Sequence, residues 1–205
     1  MNVALFDYGA GNLHSLKKAI EAGGATVSVT RSWDEALYQD ALVLPGVGSF
    51  GAAVSSLGDE RAWVRAALED GLPTLGICLG MQLFFEDSEE GGGKGFGLIP
   101  GSVRLLQSRI TPQMGWNDVS VGPDPLFEGV TDLVAYYANS YVCFPENPDV
   151  VIASTTYEEE SFAAGVRKGR CWGVQFHPEK SSAPGLSIIR NFLEEVRKGL
   201  AEKKR

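Results

Sequence analysis

Pro73-Thr74-Leu75-Gly76-Ile77-Cys78-Leu79-Gly80-Met81-Gln82 is the stretch from which the fold can be read. Pro73 to Ile77 is a short, mainly apolar run, as expected of a strand covered on both faces, and Leu79 to Glu86 reads as a helix that follows it without a linker. The glycines at 76 and 80 let the chain turn sharply between the two. A strand that runs straight into a helix is half of a parallel βαβ unit.

Working outward from this unit, the pattern repeats. Upstream, Val3 to Phe6 is an apolar strand, and Leu13, Leu16, Ala19 and Ile20 recur at helical spacing until Gly23-Gly24. Ala25 to Thr30 alternates as a second strand, Ser32 to Tyr38 is a short helix with a serine cap, and Ala41 to Leu44 is a third strand ending in Pro45-Gly46-Val47-Gly48. Ala62 to Leu68 supplies another helical face. Downstream, Glu89 to Gly95 reads as a flexible loop, after which strands dominate: Val103 to Leu106, Leu133 to Val142, Val150 to Thr155, Phe162 to Val166 and Cys171 to Phe176. A last helix, Ser187 to Lys198, carries the apolar stripe Ile188, Ile189, Phe192 and Val196. The expected architecture is α/β and three-layered, with a flavodoxin-like, mostly parallel central sheet, helices on both faces and an antiparallel extension in the C-terminal half. No repeat or Pro/Ser-rich linker divides the chain, so residues 1–205 are read as one domain.

The composition narrows the function classes. The 205 residues carry 18 Lys plus Arg against 26 Asp plus Glu, a net of -8, which gives no general attraction for nucleic acid. The segment from Arg190 onward is the basic exception and reads as a solvated helix and tail. No apolar run reaches membrane-spanning length and no leader precedes Val3, so neither membrane nor export is expected. Three cysteines, Cys78, Cys143 and Cys171, are an odd number without a close pair, which suits a reducing compartment, the cytoplasm. Neither Cys143 nor Cys171 has zinc-ligand spacing to a histidine, and no metal or cofactor is expected. Gly9-Ala10-Gly11 lacks the third glycine of a dinucleotide fingerprint, and Lys94 lacks the Ser or Thr of a phosphate loop.

Gly76-Ile77-Cys78-Leu79-Gly80 has the form of a nucleophile elbow with cysteine as nucleophile. Its sulfur is expected at the carboxyl edge of the sheet, where the first N–H groups of the following helix, above all that of Leu79, face a developing oxyanion. A thiol needs a base, and the chain has only two histidines. His14 sits at a helix start, where a capping or surface role is the better account. His177, in Gly173-Val174-Gln175-Phe176-His177-Pro178-Glu179, precedes proline and is pushed toward extended backbone, so His177 and Glu179 are expected to share a face. Cys78, His177 and Glu179 then form a nucleophile, base and orienter set.

These residues resemble the class I (triad) glutamine amidotransferases, whose two signatures are the Cys78 elbow continued by Met81-Gln82, and His177-Pro178-Glu179. Further strings, Asp7-Tyr8-Gly9-Ala10-Gly11-Asn12, Pro45-Gly46-Val47-Gly48-Ser49-Phe50, Met114-Gly115-Trp116-Asn117 and Lys180-Ser181, are similar to one member of that family, over residues 2 to about 195. The resemblance implies hydrolysis of L-glutamine to glutamate and ammonia, with ammonia passed to a separate (β/α)8 cyclase subunit in a heterodimer. It implies that Cys78 carries a glutamyl thioester, that Gly48, Gln82, Ser140 and Tyr141 hold glutamine, and that Trp116, Asn117, Tyr136 and Lys180 lie toward the cyclase. Asn139 departs from the many relatives with histidine before Ser-Tyr. A second oxyanion donor is expected from Val47, which sits between easily rotated glycines; its N–H is expected to point away at rest and turn inward when the cyclase binds its nucleotide. Three alternatives stay open. The glutaminase of pyridoxal phosphate synthase also has a barrel partner, but Met114-Gly115-Trp116-Asn117 and Lys180-Ser181 argue against it. A free-standing thiol hydrolase of γ-glutamyl peptides would act without a partner, and a dead binding module would have lost a member of the triad.

Overall fold

The computed structural model of the protein describes residues 1–9, 13–46 and 48–202. Its first half runs β1 (Asn2–Phe6), α1 (His14–Ala22), β2 (Thr26–Thr30), α2 (Trp33–Leu37), β3 (Ala41–Leu44), α3 (Phe50–Ser55), α4 (Arg61–Glu69), β4 (Thr74–Ile77) and α5 (Leu79–Gln82). The second half is strand-rich: β5 (Asp87–Ser88), β6 (Gly101–Leu105), β7 (Gln113–Asp118), β8 (Ser120–Val121), β9 (Val134–Asn139), β10 (Tyr141–Pro145), β11 (Val151–Tyr157), β12 (Glu160–Lys168), β13 (Cys171–Val174) and finally α6 (Ser182–Glu202).

The main sheet has the order β2-β1-β3-β4-β13-β12-β11-β8. It is parallel from β2 to β13 and antiparallel beyond, as the sequence pattern predicts. Alternate residues of each strand go to opposite sides. Val3, Leu5, Ala41, Val43, Leu75 and Ile77 face the apolar stripes of α1 and α6, with Leu16, Ile20, Ile188, Ile189, Phe192 and Val196. Ala4, Phe6, Leu42 and Leu44 face α2, α3 and α4, with Trp33, Phe50, Val64 and Leu68. Both faces are therefore closed by helices, which is why these strands read as continuous apolar runs. Ser32 caps α2 as expected, its Oγ accepting from the Glu35 N–H.

Four expectations need correction. The helix after Cys78 stops at Gln82 and does not reach Glu86. The next carbonyls are taken by another segment: Leu83 accepts from Phe96 N–H, Phe84 from Ile99 and Glu86 from Gly95, at 2.7 to 2.9 Å. Those cross-chain bonds replace the helical ladder. Leu133 to Val142 is not one strand but two, broken at Ser140; β9 pairs with β7 in a separate ribbon, and β10 pairs with β6 in a small sheet. The last helix starts at Ser182, five residues before Ser187. Residues Phe50–Ser55, unassigned by the pattern, form α3 with Ser49 as N-cap. Among the described residues no helix is long and apolar enough to cross a membrane.

Candidate active site

The elbow is built by close backbone approach. Cys78 has φ +49°, a conformation that side chains other than glycine rarely adopt. Its N–H is tied to Val174 of β13 at 2.7 Å, and its carbonyl accepts from Gln82 N–H at 3.1 Å. A Cβ at Gly76 would stand 2.6 Å from the Gly80 carbonyl, and one at Gly80 only 2.1 Å from the Leu44 oxygen, so both flanking positions leave room for glycine alone. A Cβ at Gly46 would meet Cys78 Cβ at 2.6 Å and His177 Cε1 at 3.0 Å, which places thiol and imidazole around one point.

His177 follows directly on β13, the strand beside the elbow. Its backbone is extended, at φ -98°, but the bond to Glu179 arises differently from the expectation: Pro178–Lys180 forms a 3-10 turn, and the turn, not strand alternation, brings the carboxylate back. His177 Nδ1 and Glu179 Oε1 are 2.9 Å apart, with both side chains almost wholly buried. This bond makes Nδ1 a donor and leaves Nε2 for the thiol. A second lock was not legible in the sequence. His177 N–H donates to the Tyr136 carbonyl at 2.8 Å. Ser181 Oγ donates to the His177 carbonyl at 2.7 Å and accepts from Tyr136 N–H at 2.9 Å.

Burial works against charge on His177, but its hydrogen bonds to Cys78 and Glu179, with their negative charge, outweigh it and raise its pKa to about 9 from the usual 6.5. The folded chain therefore keeps a proton that the unfolded chain releases near 6.5. Its contribution to stability is complete below pH 6.5 and is lost as pH rises through 9. The melting temperature of the wild-type chain relative to His177→Asn is expected to fall over that interval, and parallel pH-dependent melts check it. The other two thiols differ. Burial pushes Cys143 well above its ordinary range and Cys171 up to about 12, which makes them inert core residues.

Beside Cys78 lies a cavity of about 220 Å³. Gly48, Gln82, Ser140 and Tyr141, the residues that the resemblance assigns to glutamine, line it together with Leu79, Gly46, Ala138 and Asn139. Ser140 reaches it because β9 and β10 part at this residue. Gln82 Nε2 and Asn139 Nδ2 converge on the Tyr141 carbonyl at 3.0 and 3.3 Å, which fixes the wall. Glu90, placed by the sequence in a flexible loop, also lines the cavity; its carboxylate accepts from Phe50 N–H at 2.9 Å and so is held by the N-terminus of α3. Its position in a Glu-Gly-Gly-Gly run gave no signal for this. Val47 lies outside the described residues.

On the outer side of the β7–β9 ribbon, Trp116 packs edge-on against Tyr136 at 6.0 Å, and Lys180 Nζ sits 5.7 Å from the Tyr136 ring centre. Trp116 is 54% exposed. Asn117 does not join them: the alternation of β7 turns it to the opposite side, where Nδ2 donates to Thr155 Oγ1 and the Thr156 carbonyl. His14 is exposed in the first turn of α1. Among the described residues no group of three His, Cys, Asp or Glu could hold a metal.

A thiol at an elbow, an imidazole carrying a proton, a carboxylate orienting it and a small polar cavity can together cleave an amide through a thioester. Residues 4–196 match the family model described as glutamine amidotransferase class-I. Solved structures agree on the fold: a glutamine amidotransferase superimposes with a TM-score of 0.75 at 22% identity, covering 95% of this chain and 99% of its own. PurLQS from Thermotoga maritima gives a TM-score of 0.73 at 19% identity, covering 97% and 98%. In sequence the chain is 44% identical over 203 residues, 95% of both chains, to the imidazole glycerol phosphate synthase subunit HisH of Moorella thermoacetica, and 42% identical to that of Pyrococcus furiosus, over 93% of this chain and 97% of the relative. The chain belongs to the HisH family of class I glutamine amidotransferases, enzyme subunits that hydrolyse glutamine.

Proposed function

We propose that Cys78, His177 and Glu179 carry out the hydrolysis and that the ammonia passes to a (β/α)8 cyclase, the second subunit of imidazole glycerol phosphate synthase, in a heterodimer. The observation that carries the assignment is the buried His177–Glu179 pair set against the strained Cys78 elbow, whose sulfur opens on the cavity. The Cys78 thiolate attacks the side-chain amide carbon of glutamine, and the Leu79 N–H faces the oxyanion, with Val47 as the expected second donor. The C–N bond breaks as His177 gives its proton to the departing amide nitrogen, which leaves as ammonia, and a glutamyl thioester remains. Water then loses a proton to His177 and attacks the thioester; the C–S bond breaks and glutamate leaves. Gly48, Gln82, Ser140 and Tyr141 hold the substrate, and the Glu90 carboxylate at the cavity supplies the charge for its α-ammonium group. The cyclase uses the ammonia to form imidazole glycerol phosphate and aminoimidazole carboxamide ribonucleotide in histidine biosynthesis. Three buried free cysteines support a cytoplasmic location.

The test mixes the chain with the cyclase and follows glutamate release with and without the cyclase's nucleotide. Release that rises with the loaded partner supports ammonia transfer and the turning of Val47. Equal rates in the isolated chain and the loaded complex defeat both and favour a free-standing hydrolase. Trp116, Tyr136 and Lys180 form the docking face in this proposal. Trp116→Ala is expected to weaken cyclase binding by about 2 kcal/mol, roughly thirtyfold in Kd, as an exposed aromatic anchor does; a titration of assembly checks it.

A further inference from the structure

Gln175 is fully buried, two residues before His177. Its Nε2 donates to Cys78 Sγ at 3.4 Å. Its other amide atom, Oε1, is buried without a partner. Half of a buried amide left unsatisfied carries a free-energy cost that a methionine of the same length would avoid. The amide is therefore better explained by its donor end than by packing. Phe176 points into the apolar core beside Tyr137, whereas Gln175 and His177 on either side of it both reach the elbow.

We propose that Gln175 is a positioning residue, whose side-chain N–H holds the Cys78 sulfur as a thiolate facing the glutamine amide. This rests on the triad assignment above. Among the described residues, the charged or titratable groups around the sulfur are His177 and Glu179 from the turn after β13, Cys143 from β10, and Glu90 and Tyr141 across the cavity. Of these only His177 is cationic, and its proton is in use at both critical moments. It moves to the departing amide nitrogen as the thioester forms, and the proton of water is arriving on His177 as the thiolate is expelled. Gln175 does not titrate, so its donor is available to the sulfur anion in both steps. A hydrogen bond to a charged group carries more free energy than one between neutral groups, which concentrates its effect on the states with anionic sulfur.

The test uses Gln175→Met and Gln175→Glu in the complex with the cyclase. It measures kcat and KM for glutamine and the pH dependence of Cys78 alkylation by iodoacetamide. Gln175→Met is expected to lower kcat about ten- to a hundredfold with KM changed less than about twofold, and to move the alkylation midpoint up by about one pH unit. Gln175→Glu, with a carboxylate in place of the donor, is expected to lose more. A Gln175→Met variant with wild-type kcat, or one that loses activity while its alkylation profile stays unchanged, overturns the proposal. So does a failure of both variants to fold, which would make Gln175 a core residue only. Cys78→Ala run in parallel separates the two levels: activity surviving in that variant defeats the triad, whereas a dead Cys78→Ala beside a fully active Gln175→Met defeats only the role of Gln175.

Discussion

Cys78→Ala is expected to reduce glutamine hydrolysis by the complex at least about 10⁴-fold while leaving assembly with the cyclase intact. The sulfur is the only thiol lining the cavity among the described residues, and the covalent route divides amide cleavage into two accessible steps. Without it, His177 has no thiol to ionise, and the oxyanion donors act on a substrate that nothing attacks. Structure is spared because the side chain is small and the elbow is shaped by Gly76, Gly80 and the Cys78–Val174 backbone bond, none of which the substitution alters. Groups that act as one unit are not additive, so His177→Asn added to Cys78→Ala is expected to cost little more. Glutamate release and size-exclusion chromatography of the complex provide the measurement. Residual turnover near the wild-type rate would show that another group performs the chemistry.

The second large effect concerns the fold. Gly80→Ala is expected to destabilise the chain by about 3 kcal/mol or more, a fall in melting temperature of roughly 6 to 12 °C for a domain of this size. The new Cβ would lie 2.1 Å from the Leu44 oxygen and 2.8 Å from the Leu44 carbonyl carbon. These are backbone atoms at the end of a central strand and cannot swing aside as a flexible side chain would. Either β3 or the elbow must shift, and the elbow carries Cys78 and Leu79 at the cavity. Gly122 provides the control: its nearest neighbour, the Ile152 oxygen, is 3.2 Å from a built Cβ, and its alanine variant is expected to cost far less. Equal urea midpoints for the two variants would remove the steric account of the elbow.

The parallel half of the fold was legible because its signal is local. The strands β1, β3 and β4 are buried on both faces and each is followed by a turn or helix, so an apolar run and its punctuation suffice. The features that escaped depend on contacts between distant segments. Leu83, Phe84 and Phe85 are all buried, and apolar composition cannot tell helix from a stretch whose carbonyls are claimed by Phe96 and Ile99. The residues on both sides of Ser140 alternate as one strand would, and the pattern carries no information on which sheet each half joins. That Cys78, His177 and Glu179 lie together was legible through the two motifs and the scarcity of histidine. Glu90, Ser181 and Gln175 were not, since each acquires its place only when β13, β9 and the loop before Lys94 are brought around Cys78.

Tyr136 stands on both sides of the molecule at once. Its ring lies between Trp116 and Lys180 at the surface, while its own peptide groups clasp His177 and Ser181. One residue is thus a strut between the exterior and the imidazole, with no relay of side chains between them. Any tilt of β9 against a neighbour carries the histidine's peptide with it. In the proposed complex this would link docking of the cyclase on the Trp116–Tyr136–Lys180 face to the position of the imidazole.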